Sequence, residues 1–414
     1  MTIPFVKSGI LYTVKKKGKT KMTFENLFSK VQRIQDRMSE DRRNLHSMAE
    51  TGMALPLTTK NCLDRLQRMG YSPKCYCEGG IVCTVGKGER CVLLRADMDA
   101  LPIKEESGET FSSRTDAMHA CGHDMHTAML LGAAQLLWEH EKDLQVTVKL
   151  CFQPGEETLS GAVSMIDAGL LSSPDVDCAM MIHVLAATDY PCGTVIIPPS
   201  GVGAAGADFF TIYLRGKGCH GATPHLGIDP ITAGAQLITL LSGLISREIG
   251  QGGGDVLSIG RIHAGDSDNA IPDCCILGGT LRSYDDEHRE FIKSRLTETA
   301  RFVAKAHRAD SEVVFTSGCP SFINDPHLCK RAAELFCDAS PAPFIVPEGM
   351  RGGGSEDFSY VSRKVPSIML ALSAGEKDKG YLHPLHSPKV RFDESALPYG
   401  AAAYAAFALG MDTK

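Results

Sequence analysis

The chain is 414 residues long and 43% hydrophobic, with 43 Lys and Arg against 49 Asp and Glu and a formal net charge of −6. That is room for two or three domains with filled cores, and it gives no footing for a nucleic-acid surface, since Lys15-Lys16-Lys17-Gly18-Lys19-Thr20-Lys21 is the one basic run. No apolar stretch is long enough to span a bilayer, and fifteen cysteines, odd in number and without a Cys-x-x-Cys, suit a reduced cytoplasmic protein better than a disulfide framework.

Residues 1–21 read as a solvated extension, because the apolar patch Ile10, Leu11, Tyr12, Val14 precedes the lysines, the reverse of a secretory signal. Helices are expected over 24–50 and 58–69, the second stopping at Gly70. Strands are expected at 81–85 and 91–94, the latter running into Arg95-Ala96-Asp97-Met98-Asp99-Ala100-Leu101-Pro102. Next, Ala120-Cys121-Gly122-His123-Asp124-Met125-His126 leads into a helix carrying Ala128, Met129, Leu130, Leu131, Leu136 and Leu137. A strand over 146–152 runs into Gln153-Pro154-Gly155-Glu156-Glu157, a helix covers 162–168, and a buried strand over 178–182 ends in His183.

Apolar strands alternating with helices argue for an α/β fold, a mixed, mostly parallel sheet flanked by helices. From residue 205 the order becomes strand, helix, strand, strand, helix, strand (209–214, 229–246, 256–262, 275–281, 286–306, 312–316), the split ferredoxin-like α+β arrangement. It reads as a domain inserted over 205–318, dividing a catalytic domain into 22–204 and 319–414. The second part holds a helix over 328–337, a strand over 367–372, a loop with His383 and His386, and an Ala-rich terminal helix.

Ligands gather at the carboxyl ends of strands in such sheets. There stand Asp97 and Asp99, Glu156 and Glu157, and His183, beside the loop with Cys121 and His123. A lone Cys-x-His is as readily a buried cysteine beside capping residues, but Gly122 lets both side chains turn to one cation. Cys121, His123, Glu157, His183 and His386 could supply five donors to a pair of divalent ions. Thiolate and imidazole suit zinc, and the carboxylate keeps manganese open. With one glutamate of the pair on metal, Glu156 is free to act as general base toward a metal-activated water. Two readings compete: Cys121 as a nucleophile with a histidine partner, and a catalytically silent metal-binding or assembly protein.

The ordered motifs Arg42-Arg43-x-Leu45-His46, Arg95 to Pro102, His119-Ala120-Cys121-Gly122-His123-Asp124-Met125-His126, Gln153-Pro154-x-Glu156-Glu157, Ile182-His183-Val184, Gly216-Lys217-Gly218-x-His220-Gly221-Ala222-x-Pro224-His225, Ser355-Glu356-Asp357-Phe358 and Leu385-His386-Ser387-Pro388 span nearly the whole chain from about residue 41. On them the sequence resembles the di-metal amidohydrolases, the aminoacylase and small-carboxypeptidase family that includes hippurate hydrolase and the auxin-conjugate hydrolases. The resemblance implies cleavage of N-acyl amino acids or small N-capped, dipeptide-like substrates. It implies Cys121, His123, Glu157, His183 and His386 as ligands to two divalent ions (manganese or zinc, with cobalt or nickel possible) and Glu156 as base. It further implies that the inserted domain closes as a lid or dimerises, in a homodimer or homotetramer. His220 would then reach an active site across the dimer to stabilise the oxyanion. Asn269 and Arg282 are candidates for the substrate carboxylate, although such an arginine is ordinarily a solvated surface group. The chain departs from the family pattern at Ala49, where proline usually precedes the glutamate, at Met53-Ala54-Leu55 and at Cys219.

Overall fold

Residues 23–250, 253–352 and 354–411 are described by the computed structural model; the extension at 1–21 lies outside them. Helices α1 (Phe24–Gln32) and α2 (Gln35–Ser47) replace the single helix expected over 24–50. Between them the Arg33 and Ile34 N–H groups bond back three residues, to the Lys30 and Val31 carbonyls. The buried positions Phe24, Leu27, Val31, Met38, Arg42 and Leu45 keep helical spacing through that turn, so periodicity does not reveal it. Helix α3 (Pro56–Met69) ends at Gly70 with φ 102°, and at its start the Glu50 carboxylate accepts from the Leu57 and Thr58 N–H groups at 3.0 and 2.9 Å. Beside it Ala49 is buried against Ala100 and Ala117, a contact that a small residue permits.

The chain then builds β1 (Lys74–Tyr76), β2 (Gly80–Val85), β3 (Cys91–Asp97), α4 (His123–Glu139), β4 (Thr147–Gln153), α5 (Gly161–Asp167), β5 (Cys178–Leu185), β6 (Val195–Ile197) and β7 (Gly201–Ala204). The inserted segment follows as β8 (Gly206–Arg215), β9 (Cys219–His220), α6 (Pro230–Ser242), β10 (Val256–His263), β11 (Ala270–Ile271), β12 (Cys274–Ser283), α7 (Asp286–Ala306) and β13 (Asp310–Cys319). The chain closes with β14 (Phe322–Asn324), α8 (Pro326–Leu335), β15 (Phe344–Ile345), α9 (Ser359–Ser362), β16 (Ser367–Ser373) and α10 (Leu397–Gly410).

Two sheets carry the molecule. The large one runs β1-β2-β4-β3-β5-β16-β6-β15, with β4, β3, β5 and β16 mutually parallel and β2 and β6 antiparallel to their inner neighbours. Helix α4 is buried on nearly every side, sealed between this sheet and α1, α2 and α10. The smaller sheet, β10-β12-β8-β13, is antiparallel and has its own core, in which Phe210, Ile212, Leu214, Leu277, Ile292 and Leu296 pack with α6 and α7. That is the split ferredoxin-like pattern.

Two boundaries differ from expectation in ways that matter. Strand β5 continues to Leu185, so His183 lies within the strand and not past its end. Helix α6 stops at Ser242 and a separate π-turn follows over Ile245–Ile249, where a helix to 246 was expected.

The functional crevice comes from topology. β4 lies on one side of β3 and β5 on the other, so the loops leaving β3 and β4 part at a topological switch point. The β3–β5 ladder ends at the Arg95–Met181 pair. Beyond it the Tyr404 hydroxyl of α10 accepts from the Ile182 N–H at 3.1 Å and donates to the Arg95 carbonyl at 2.7 Å. The parting strands thereby keep their buried polar groups satisfied while their ends splay.

Candidate metal centre

The centre is assembled at the carboxyl ends of β3, β4 and β5. Gly122 adopts a left-handed conformation, φ 85°, immediately before α4, and a Cβ there would lie 2.4 Å from Val184 Cγ2. Only glycine lets the chain turn there, and the turn sends Cys121 and His123 inward. Cys121 Sγ lies 3.4 Å from His183 Nε2. His386 also has positive φ, 65°, and its N–H bonds to the Ala120 carbonyl at 2.9 Å, which ties the last loop to the Cys121 turn.

Hydrogen bonds fix which nitrogen each imidazole presents. His123 donates from Nδ1 to the Asp99 carbonyl at 2.8 Å, and His183 from Nδ1 to the Val184 carbonyl at 2.7 Å. Each Nε2 is then left as a lone pair facing the cluster. His126 is different. Its Nδ1 donates to Asp97 Oδ1 at 2.6 Å and its Nε2 accepts the Val184 N–H at 2.8 Å, so neither nitrogen remains for a cation.

Glu157 Oε1 lies 3.9 Å from His123 Nε2 and 3.7 Å from His386 Nε2. Ligand atoms of Cys121, His123 and His183 lie within 4.8 Å of one another, as do those of Cys121, Glu157 and His386. His123 Nε2 and Glu157 Oε1 are buried with no hydrogen-bond partner. Orphaned lone pairs of this kind are costly unless something electropositive meets them, so the residues fit a bound cation. Without a cation the crowded donors compensate one another's charge. Burial alone would push the Cys121 thiol up, but the imidazoles of His183 and His123 outweigh it and hold the thiol well below its usual range. Burial likewise works against the charged form of His183, which the Cys121 thiolate nevertheless raises to about 9. Burial, with Cys121 adding to it, pushes Glu157 up to about 8.

Asp99 fixes the turn that carries both glutamates, whose ligand atoms lie within 4.8 Å of each other and of His123. Its carboxylate accepts from the Glu156 N–H at 3.0 Å and the Glu157 N–H at 3.1 Å, fixing the turn after β4. The Glu156 side chain faces a second group, Glu356 and Asp357, again with ligand atoms within 4.8 Å. Among the described residues an arginine serves that group. Arg95, fully buried, reaches Asp97 at 2.7 Å, Glu356 at 2.9 Å and Asp357 at 3.1 Å. Burial, then Glu356, Asp357 and Glu157, raise the pKa of Glu156 well above the carboxylate range.

All five expected donors and Glu156 therefore meet. His220 and Asn269 do not join them within one chain: both are exposed on the small β9–β11 ribbon, where His220 Nδ1 accepts the Ala222 N–H at 3.1 Å and Asn269 Oδ1 accepts from Ser267 at 2.8 Å. Arg282 is half-buried, not free at the surface. It donates to Ser355 Oγ at 2.6 Å, and its guanidinium carbon lies 5.5 Å from the Phe209 ring centroid. Sequence reasoning missed Arg95 as the counter-charge and Asp99 as the clamp on the two glutamates. The signal was present in Arg-x-Asp-x-Asp at the end of an otherwise apolar strand.

A parallel-centred sheet with Cys, His and Glu donors at its switch point, joined to an antiparallel insert, defines a metallohydrolase-like architecture. The chain belongs to peptidase family M20/M25/M40, whose model matches residues 93–410. It is 35% identical over 401 residues to thermostable carboxypeptidase 2 of Saccharolobus solfataricus, covering 94% of this chain and 99% of that one. It is 36% identical over 389 residues to IAA-amino acid hydrolase ILR1-like 2 of Arabidopsis thaliana, covering 92% and 87%. Among solved structures, a dinuclear metal binding peptidase of the M20 family from Bacillus subtilis superposes with a TM-score of 0.75 at 29% identity, covering 91% of this chain and 98% of that one. The protein is accordingly a hydrolase acting on carbon–nitrogen amide bonds.

Proposed function

We propose that the protein cleaves the amide of an N-acyl amino acid or small N-capped peptide, releasing an acid and a free amine. The observation that carries this reading is the convergence of Cys121, His123, Glu157, His183 and His386, two of them with orphaned buried atoms, while Glu156 is left over beside them. The relatives' named activities, carboxypeptidase and IAA-amino acid hydrolase, have amide cleavage in common.

Two divalent ions on those five side chains, manganese or zinc with cobalt or nickel as substitutes, would polarise the carbonyl and make water acidic enough to ionise at about pH 7. Glu156 takes a proton from the attacking water and returns it to the leaving nitrogen. Arg282 and Asn269 receive the substrate carboxylate. His220, exposed on its ribbon, donates to the oxyanion from a second copy of the chain. Assembly through the inserted segment is supported by its edge strand β10, paired on one side only among the described residues, and by Ile231, Leu240 and Ile262, all exposed there.

Glu156→Gln should keep its bound metal and lose turnover by roughly 10²–10⁴-fold. Metal content by elemental analysis and hydrolysis of N-acyl amino acids measure the two, and normal turnover refutes the base assignment. The Cys121–His183 contact also favours a second reading, a thiolate nucleophile. Dialysis against a chelator separates them: activity lost and restored by manganese or zinc supports the metal route, and activity that survives supports the thiolate.

A further inference from the structure

Beyond Glu157 the loop does something unusual. Leu159 adopts φ 54°, a left-handed conformation that is strained for a branched residue, and is buried against Ala207 and Cys319, the two strands that enter and leave the insert. Tyr360 closes the same contact, its hydroxyl donating to the Gly318 carbonyl at 2.6 Å. The strained turn thus anchors one wall of a groove of about 680 Å³, with Leu159 and Val163 on one side, Phe209 and Thr316 of the smaller sheet on the other, and Tyr360 between. Among the described residues Glu157 is the one charged side chain lining it.

The charges sort a substrate. An N-acyl amino acid has a carboxylate on the amine side of its scissile bond and a neutral group on the acyl side. Among the described residues the groove lining offers a carboxylate no cation, whereas Arg282 lies across the Phe209 ring, outside the groove lining. Phe209 stands between these two environments and is 37% exposed although it belongs to the inserted sheet. An acetyl group would leave most of the volume unfilled, while a ring or branched chain would bury apolar area against Phe209, Val163 and Leu159.

We infer that this groove is the acyl subsite and that Phe209 sets the size of the acyl group, selecting uncharged aryl or branched acyl groups over acetyl and over acyl groups that carry a second carboxylate. The inference rests on the amidohydrolase reading above. Its test is kcat/KM for the N-benzoyl, N-acetyl and N-succinyl derivatives of one amino acid, with the metal-loaded full chain. The parent should prefer benzoyl to acetyl and acetyl to succinyl. Phe209→Ala should lower the benzoyl-to-acetyl ratio about tenfold. Thr316→Lys, a change at an exposed wall position that adds a cation, should raise the succinyl-to-benzoyl ratio by about the same factor. An unchanged ratio in either variant, or a parent that prefers acetyl or succinyl, overturns the subsite. A parent that hydrolyses none of the three overturns the amidohydrolase reading instead, and the subsite falls with it.

Discussion

At the scale of single residues, the side chains behind the donors do as much as the donors. Asp99 touches no reacting group, yet it holds the N–H groups of both Glu156 and Glu157. Asp99→Ala would leave one buried and one half-buried donor unpaired and should cost about 2 kcal/mol, with loss of bound metal; denaturant midpoint and metal stoichiometry measure these, and Asp99→Asn, which keeps one acceptor oxygen, should recover part of both. A second shielded set lies one step farther out, where His46 joins Asp124 at 2.8 Å and Glu105 at 3.1 Å. Burial pushes Glu105 up, but hydrogen bonds from His46, Ser107 and Ser113 outweigh it and hold it down to about 2. His46 is raised from 6.5: burial opposes its charge, and Asp124 and Glu105 outweigh the burial. The signs differ. Glu105 contributes stability above its ordinary value of 4.5, and this is lost as pH falls toward about 2. His46 contributes fully below 6.5 and loses its share as pH rises through its elevated pKa. The pair therefore stabilises most between 4.5 and 6.5. Melting curves of the parent and Glu105→Gln should differ most inside that window and converge as pH falls toward 2; a constant gap would show that the carboxylate's charge is irrelevant.

At the scale of elements, the turn into α4 governs the geometry. The sequence predicts the helix and the need for a permissive residue at Gly122, and the structure has φ 85° there with Val184 too near for a Cβ. Gly122→Ala should destabilise by about 1–2 kcal/mol from the left-handed backbone alone, and more because it presses on Val184, next to His183. Thermal melts of the apo protein with and without added zinc should show a lower Tm and a smaller metal-induced rise. Long apolar strands and capped helices were legible because their periods are; α7 matches at both ends, with Asp285 capping the Glu287 and His288 N–H groups. The two-residue strands β9, β11 and β15 and the turn that divides α1 from α2 carry no periodic signal and exist only through their partners. His183 was expected past a strand end, but β5 runs on beside β16 to the Leu185–Ser373 pair after β3 has parted from it, and that pairing partner comes from the far end of the chain.

At the scale of the whole molecule, the candidate donors were legible because their types are rare inside apolar sheets, whereas their supports were not. Arg95 reads as an ordinary charged residue until Asp97, Glu356 and Asp357 are seen to surround it from two distant parts of the chain. The same holds for the groove, whose walls come from residues near 160, 209, 316 and 360. The central sheet has one more property of this kind. Strand β16 sits between β5 and β6, yet it is reached only after the entire insert. While the polypeptide emerges from the ribosome, the antiparallel insert is complete before the slot beside residues 178–185 receives its occupant, and His386 arrives later still. The amino-terminal half must therefore wait with an open seam, and a truncation before residue 367 removes both the seam's filling and the last of the proposed ion donors.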